Sequence, residues 1–443
     1  MEHLMKAVEK NRQRILKAER YLWQNPETGF KEVKSSRYLE EQFAELGYDI
    51  VRAGNIPGFY TVADTERPGP ELLILGEMDS VICASHPAAN PETGAVHACG
   101  HHAQCAALLG IAAALKEPGV LDGLCGKIRL CAVPAEEFLE VEYRAQLKQE
   151  GVIRYMGGKS EFLSRGYFDG VQLAFMVHAY PKSRINRGMI GCIVKKIIYK
   201  GVSAHAGGRP WMGKNALYAA NCGLNAINAI RETFREPNMI RVHPIITSGG
   251  SMVNAIPERV TLESYVRGKT FEAIADANRK VDRALIGAAL SLDTNIEIQD
   301  IPGYTPLVHD TGLMKLAEEA FYQVCPGEEL EVSEVVSAGC SDMGDLSAIM
   351  PVVHPYIGGA AGNPHGNDFV IVDPEMACVN SAKWQVAMVS MLLREGGQRA
   401  KQIVKEFKPR FATKEEFLAR LDSFAVSGDR IFDQPDGTAV VKL

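Results

Sequence analysis

Cys99 and His101 stand two residues apart, just ahead of a small apolar run over residues 103–115. At the mouth of a helix that spacing lets a thiolate and an imidazole reach one metal ion. Backbone amides and the positive helix end also favour the thiolate, the form that binds metal. Alone the pair is open to a plainer reading, with Cys99 a small buried residue and His97, His101 and His102 capping backbone groups, because closed zinc sites usually show two such pairs. Further groups lie at the ends of strand-like runs. Residues 71–76 carry the apolar run Leu72-Leu73-Ile74-Leu75, as a strand buried on both faces does, and end in Glu77-Met78-Asp79. Residues 127–133 stop at Pro134-Ala135-Glu136-Glu137, where one carboxylate can bind a cation while its neighbour handles a proton. Residues 171–177 end on His178. In open α/β sheets ligands bind at the carboxyl ends of strands. Asp79 suits a carboxylate that orients an imidazole through its second nitrogen. A Glu-Glu turn or a lone histidine is more commonly structural; three successive runs ending in potential ligands are what single out a metal site.

The elements that must position these groups fall into three stretches. Helices are expected over residues 6–24 and 35–46, followed by the strands just named. Residues 140–161 form a charged, poorly patterned insertion with a helix and no readable function. From residue 190 the pattern becomes strand 190–199, helix 213–234, strands 239–247 and 259–267, helix 271–290 and strand 295–299. That β-α-β-β-α-β order is a complete ferredoxin-like unit. It carries His205 in a small-residue loop, Asn254 in a glycine-containing loop, and Arg267 at the end of its third strand. The last stretch offers helix 311–322, a polar turn over 335–345, strand 351–359, a loop over 363–369 that could deliver His365, and a long helix 373–393. Residues beyond about 408 form a charged appendix. The expected architecture is α/β. A catalytic domain of residues 1–187 and 305–443 holds a central, mostly parallel sheet flanked by helices, and residues 188–304 are inserted into it as an α+β domain.

At 443 residues, two domains are the natural expectation. A net charge of −6 gives no dedicated nucleic-acid surface. Ten scattered cysteines with no Cys-x-x-Cys suit a reducing compartment. The N-terminal residues lack a signal-peptide core, and no apolar run is long enough to cross a bilayer. A cytoplasmic protein with no nucleic-acid or membrane partner is expected.

In combination the motifs resemble metallopeptidase family twenty, the aminoacylase-like amidohydrolases, and most of all its branch of p-aminobenzoyl-glutamate hydrolases, N-acyl-amino-acid hydrolases and dipeptidases. The resemblance runs from about residue 10 to 400. It is carried in order by Gly76-Glu77-Met78-Asp79, His97-Ala98-Cys99-Gly100-His101, Pro134-Ala135-Glu136-Glu137, His178-Ala179-Tyr180-Pro181, Gly201-Val202-Ser203-Ala204-His205-Ala206, the stretch from Arg209 to Leu217, Asn254-Ala255-Ile256-Pro257 and Pro364-His365-Gly366.

The resemblance implies two divalent metal ions, zinc or manganese foremost with cobalt or nickel also admitted. Their ligands would be Cys99, His101, Glu137, His178 and His365, with Cys99 able to bridge. It implies Glu136 as general base toward a metal-activated water and Asp79 as the carboxylate behind a ligand. The inserted domain would act as a lid and as the contact of a homodimer, with His205 steadying the oxyanion from the partner subunit. Asn254 and Arg267 would hold the substrate's carboxylate or nearby polar atoms. The substrate would be a small N-acyl or aminoacyl amino acid with a free carboxylate. Three departures stand out: His102 follows the Cys-Gly-His core where many relatives carry aspartate or asparagine, residues 140–156 are inserted after the glutamates, and His354 is an alternative to His365. The rival readings are a non-catalytic metal- or peptide-binding relative of the same fold, and a thiol hydrolase using Cys99 and His101.

Overall fold

A computed structural model describes residues 2–443. The chain forms two compact units: one comprises the residues up to Gly188 with Leu307–Ser337 and Ser341–Lys414, the other Met189–Pro306, Ala338–Cys340 and Glu415–Leu443.

The first unit is built on a six-stranded sheet in the order Val51–Arg52, Phe59–Asp64, Lys127–Val133, Glu71–Glu77, Leu173–Phe175, Val352–Val353. The last four strands run parallel, and the first two add antiparallel. Against it lies the helix His101–Leu115, every residue of which is buried. Alanines and leucines on all sides leave it no polar face, so it stands only inside a core. Gly110 lets the helix Arg12–Gln24 come close, since a Cβ there would lie 2.5 Å from Ile15 Cδ1. On the far side a π-helical turn, Glu375–Asn380, leads into Ser381–Leu393. There Trp384 is fully buried, its Nε1 donating to the Ala317 carbonyl at 2.8 Å.

The expected elements differ in detail where local chemistry interrupts them. The first helix breaks into Glu2–Lys10 and Arg12–Gln24 around Asn11, whose side-chain amide donates to the Ala7 carbonyl at 3.0 Å and competes with helix continuation. The expected strand 351–359 switches sheets partway, and the chain does the same just past the expected strand 171–177. Leu173–Phe175 and Val352–Val353 stay central, whereas His178–Ala179 and Tyr356–Ile357 pair in a smaller sheet with Arg184–Ile185 and Glu331–Val332. Pro355, which lacks an amide proton, sits at that switch.

In the second unit the sheet order is Arg241–Val242, Arg259–Gly268, Gly191–Lys200, Asn295–Pro302, Val426–Asp429, with Ile245–Ser248 also on Arg259–Gly268. All pairs are antiparallel. The helices Ala216–Ile230 and Phe271–Ser291 start on Asn215 and Thr270, whose side chains accept from amides of their first turns. Pro244 splits the expected strand 239–247 in two. One boundary needs correction: Glu415–Leu443 groups with this unit, not with the first. Val426–Asp429 extends its sheet, and Ile431 is buried in its core. Among the described residues no helix is long and apolar enough to cross a membrane, and all ten cysteines are free.

Candidate metal centre

The first unit gathers Cys99, His101, Glu136, Glu137, His178, His365 and Asp79 at the ends of its strands. Gly100, at φ 96°, turns the chain into the long helix, where an L side chain would be strained. His101 is the first helical residue, and its Nδ1 lies 3.0 Å from the Asp79 carbonyl and 3.1 Å from Asp79 Oδ1. Those acceptors fix the proton on Nδ1 and leave Nε2 for a cation. The second Asp79 oxygen accepts the Glu137 amide at 2.8 Å, so a single carboxylate aligns two of the groups. His178 Nδ1 faces the Ala179 carbonyl at 2.7 Å, and its Nε2 lies 3.5 Å from Cys99 Sγ. His365 has a left-handed φ of 64°, held by its amide donating to the Ala98 carbonyl at 2.8 Å. Its Nε2 is 2.8 Å from Glu137 Oε1. The two glutamates leave their strand through Ala135, also at positive φ (56°), whose amide donates to Glu32 Oε1 at 2.7 Å.

Three donor sets form, with atoms within 4.8 Å of one another: Cys99, His101 and His178; Cys99, Glu137 and His365; His101, Glu136 and Glu137. Cys99 belongs to two of them, so one sulfur faces two neighbouring positions. Thiolate, imidazole and carboxylate together suit a divalent transition ion. The electrostatics fit a cation too. Burial opposes charge on Glu137, yet His365 beside it holds its carboxyl down to about 2. Against the same opposition of burial, Cys99 and Glu137 lift His365 to about 11, and His101 draws Cys99 down to about 6. Imidazole protons thus supply positive charge that a bound metal would replace. Burial and the charges of Glu77, Glu137 and Asp342 push Glu136 well above the usual carboxylate range, as befits a proton acceptor.

Sequence reasoning missed the groups that brace this cluster. Lys159 is wholly buried, its Nζ paired with Glu77 Oε1 at 2.5 Å and with Asp342 Oδ1. Glu77 and Asp342 form a further acidic set with Glu136, so Lys159 puts a fixed positive charge among three carboxylates. Arg144, from the helix Val141–Gln149 of the insertion, is buried against Phe30 and Phe138. It donates to the Met156 carbonyl at 2.7 Å and to that of Glu137. The insertion therefore grips the loop that carries the paired glutamates. A single arginine in a charged helix gives no periodic signal of such a role; the one available signal for Lys159 was the Gly157-Gly158 pair that precedes it.

His354 is buried, its ring 5.6 Å from that of His178, but it joins none of the donor sets among the described residues. His102 turns away toward Glu19 Oε1 at 3.5 Å and packs on Trp23. His205, Asn254 and Arg267 lie in the second unit. His205 and Asn254 share one loop pair: the Ala206 amide donates to the Asn254 carbonyl at 2.9 Å, and His205 bridges to Ala255. His205 Nδ1 accepts the amides of Gly207 and Gly208 at 3.2 and 2.9 Å, which leaves Nε2 carrying the proton as a free donor on an exposed side chain. Arg267 is not brought to them. It ends the strand Arg259–Gly268, whose other end adjoins the Asn254 loop, about 27 Å away at the rise of an extended chain. There its guanidinium lies near Cys340 Sγ at 3.7 Å.

The sequence profile of Peptidase family M20/M25/M40 matches residues 73–383. One of the subunits of p-aminobenzoyl-glutamate hydrolase from Escherichia coli is 28% identical over 302 residues, 66% of this chain and 58% of that protein. The chain therefore aligns with little more than half the length of that relative. N-acetyl-L-cysteine deacetylase of Bacillus subtilis is 28% identical over 324 residues, 69% of this chain and 71% of its own. Among solved structures, an aminohydrolase from methicillin-resistant Staphylococcus aureus superposes with a TM-score of 0.70 at 22% identity, covering 88% of this chain and 98% of that one. A dinuclear metal-binding peptidase from Bacillus subtilis superposes at 0.64 and 20%, covering 87% and 99%. At such identities these likenesses show the fold, an α/β unit with an inserted antiparallel one.

Proposed function

Because the chain belongs to peptidase family M20/M25/M40, we propose that it is a dinuclear metal-dependent amidohydrolase. Its substrates would be small N-acyl or aminoacyl amino acids with a free carboxylate. The observation that carries this reading is the single cysteine shared by two donor sets beside a buried, proton-hungry Glu136. Cys99, His101, Glu137, His178 and His365 hold the ions, zinc or manganese by donor type with cobalt or nickel also accommodated. When bound, the ions would lower the pKa of a shared water and polarise the amide carbonyl. Glu136 takes the water's proton, which its raised proton affinity favours, and returns it to the leaving nitrogen. Asp79 keeps His101 in the tautomer whose Nε2 is a ligand, and its other oxygen holds the Glu137 amide.

His205, with its Nε2 proton free, donates to the oxyanion. The span between Asn254 and Arg267 supports an arrangement in which His205 and Asn254 serve the partner subunit's site while Arg267 serves another. On that arrangement the protein is a homodimer joined through the inserted unit. The test is metal analysis joined to a substrate panel of N-acetyl amino acids, dipeptides and p-aminobenzoyl-glutamate. Hydrolysis that disappears on chelation and returns with a divalent metal supports the reading. Undiminished hydrolysis by metal-free protein would overturn it in favour of a Cys99 thiol mechanism.

A further inference from the structure

Arg184 belongs to the small sheet that also carries His178–Ala179 and Tyr356–Ile357. Its guanidinium lies over the Tyr180 ring at 4.1 Å and the Tyr356 ring at 4.6 Å, and it hydrogen-bonds the Tyr356 hydroxyl. The Tyr356 ring lies 5.4 Å from that of His178. The guanidinium is therefore no farther from this ligand than those two spacings laid end to end. Burial, with the charges of Cys99 and Glu136, pushes the Tyr356 hydroxyl up, and Arg184 opposes that shift.

Arg184 itself lacks the partner its chemistry calls for. Among the described residues no carboxylate pairs with it, and its Nε is buried with no hydrogen-bond partner. Partly buried guanidinium groups are usually satisfied by carboxylates, because desolvating an unpaired charge is costly. Two tyrosine rings set at 62° to each other fix this guanidinium in place, and its planar fork is suited to two parallel hydrogen bonds to a planar anion. Arg129, also in the first unit, is the ordinary case: it pairs with Glu71 at 2.6 Å and donates to carbonyls.

We propose that Arg184 is the first unit's own anchor for a substrate carboxylate, either the α-carboxylate or a side-chain carboxylate of the amino acid released. This rests on the amide-hydrolysis reading and adds a specificity determinant that Asn254 and Arg267 do not supply. It also turns the enzyme away from substrates that release arginine or lysine, since a second cation beside Arg184 would meet like charge.

The experiment uses two substrate pairs that differ only in one carboxylate. N-acetyl-L-glutamate against N-acetyl-L-glutamine reports the side-chain group, and N-acetyl-L-glutamine against its α-amide reports the α-carboxylate. Full-length, metal-loaded native, Arg184→Lys and Arg184→Met proteins are compared by kcat/KM. The same pairs are titrated calorimetrically into each form carrying Glu136→Gln, so that binding is read without turnover. In one pair the native protein should favour the carboxylate, and Arg184→Met should erase about 10- to 100-fold of that preference, the worth of hydrogen bonds to a charged group. Arg184→Lys should keep part of it. If both members of each pair weaken by one common factor, Arg184 only braces Tyr356 and the proposal is overturned; an unchanged preference, or none in the native protein, overturns it equally. Carboxylate-selective binding that depends on Arg184, with no hydrolysis of any substrate by the native form, would instead count against the amide-hydrolysis reading and leave the anchor standing.

Discussion

The two units treat their functional side chains in opposite ways. In the first, His101, Glu136, Glu137 and His178 are buried; Asp79, Arg144 or a backbone carbonyl fixes His101, Glu137 and His178 from behind, and Glu32 holds the Ala135 amide just ahead of Glu136. In the second, His205 and Asn254 are exposed on two paired loops, held by hydrogen bonds between the loop backbones and from the Gly207 and Gly208 amides to the His205 ring. Burial with bracing suits groups that must keep several charges within a few ångströms. Exposure suits groups that must meet something arriving from outside their own unit. The first kind of site fails when its bracing is cut, the second when its donor is removed.

Stripping the metal is the most severe way to test that contrast, and it should touch only the first unit. Chelation should abolish hydrolysis while leaving the protein folded by circular dichroism. In the stripped protein Cys99 becomes an accessible probe. Its thiol is drawn down to about 6, so the thiolate persists at neutral pH and disappears as pH falls below that value. Alkylation of Cys99 should therefore be fast at pH 7.5, slow at pH 5, and blocked at either pH by added metal. Metal-loaded protein alkylated at Cys99 as fast as the stripped form would show that the sulfur is not a ligand.

Next in size is the division between the paired glutamates. Glu136→Gln should lower kcat by about two to four orders of magnitude with metal content unchanged. Glu137→Gln should instead release metal, and its activity should recover as metal is added. Equal metal loss in both variants would erase the distinction between base and ligand.

His205→Ala tests the exposed site. Loss of one oxyanion donor should lower kcat by roughly two to three orders of magnitude, with no change in metal content or melting temperature. Mixing Glu136→Gln subunits with His205→Ala subunits should restore activity if His205 serves its partner. Heterodimers that form without recovery would return His205 to its own chain.

The smallest effect falls on the bracing. Arg144→Met frees the Glu137 carbonyl, and groups placed behind a ligand typically cost about 10- to 100-fold in metal affinity or activity when lost. Competition with a chromogenic chelator reads this directly. An affinity equal to that of the native protein would reduce the insertion to surface decoration.

Which parts were legible follows the same contrast. The cluster itself could be read: Glu136, Glu137 and His178 because polar groups end apolar strand-like runs where ligands bind in open sheets, and Cys99 and His101 because they stand two residues apart ahead of an apolar helix. The β-α-β-β-α-β order of the second unit was equally plain from its alternation and helical periods. Lys159 and Arg144 escaped because their partners, Glu77, Asp342 and the Glu137 carbonyl, are remote in sequence or carry no side-chain signal. The sheet switches at His178 and Pro355 escaped because an apolar run does not say which sheet it joins. The separation of Arg267 from Asn254 was hidden for a related reason: a strand's two ends are close in sequence and far apart in space. In the tail, Val426–Asp429 carries a glycine and an aspartate and reads as a loop, and only the waiting edge of the strand Asn295–Pro302 makes it a strand.

That edge has a consequence for how the protein is made. The strand Asn295–Pro302 leaves the ribosome about 120 residues ahead of its outer neighbour, a delay of roughly 6 to 24 s at ordinary rates of synthesis. Throughout that interval its outward amides and carbonyls can pair with any strand that meets them, including the same strand on a neighbouring nascent chain. Asp300, turned inward to Lys195 and Asn278, does nothing to guard the edge during this time. The arrival of Val426–Asp429 therefore closes a window of aggregation risk, and slowing translation between residues 302 and 426 should lower the yield of folded protein more than slowing it anywhere within residues 189–302.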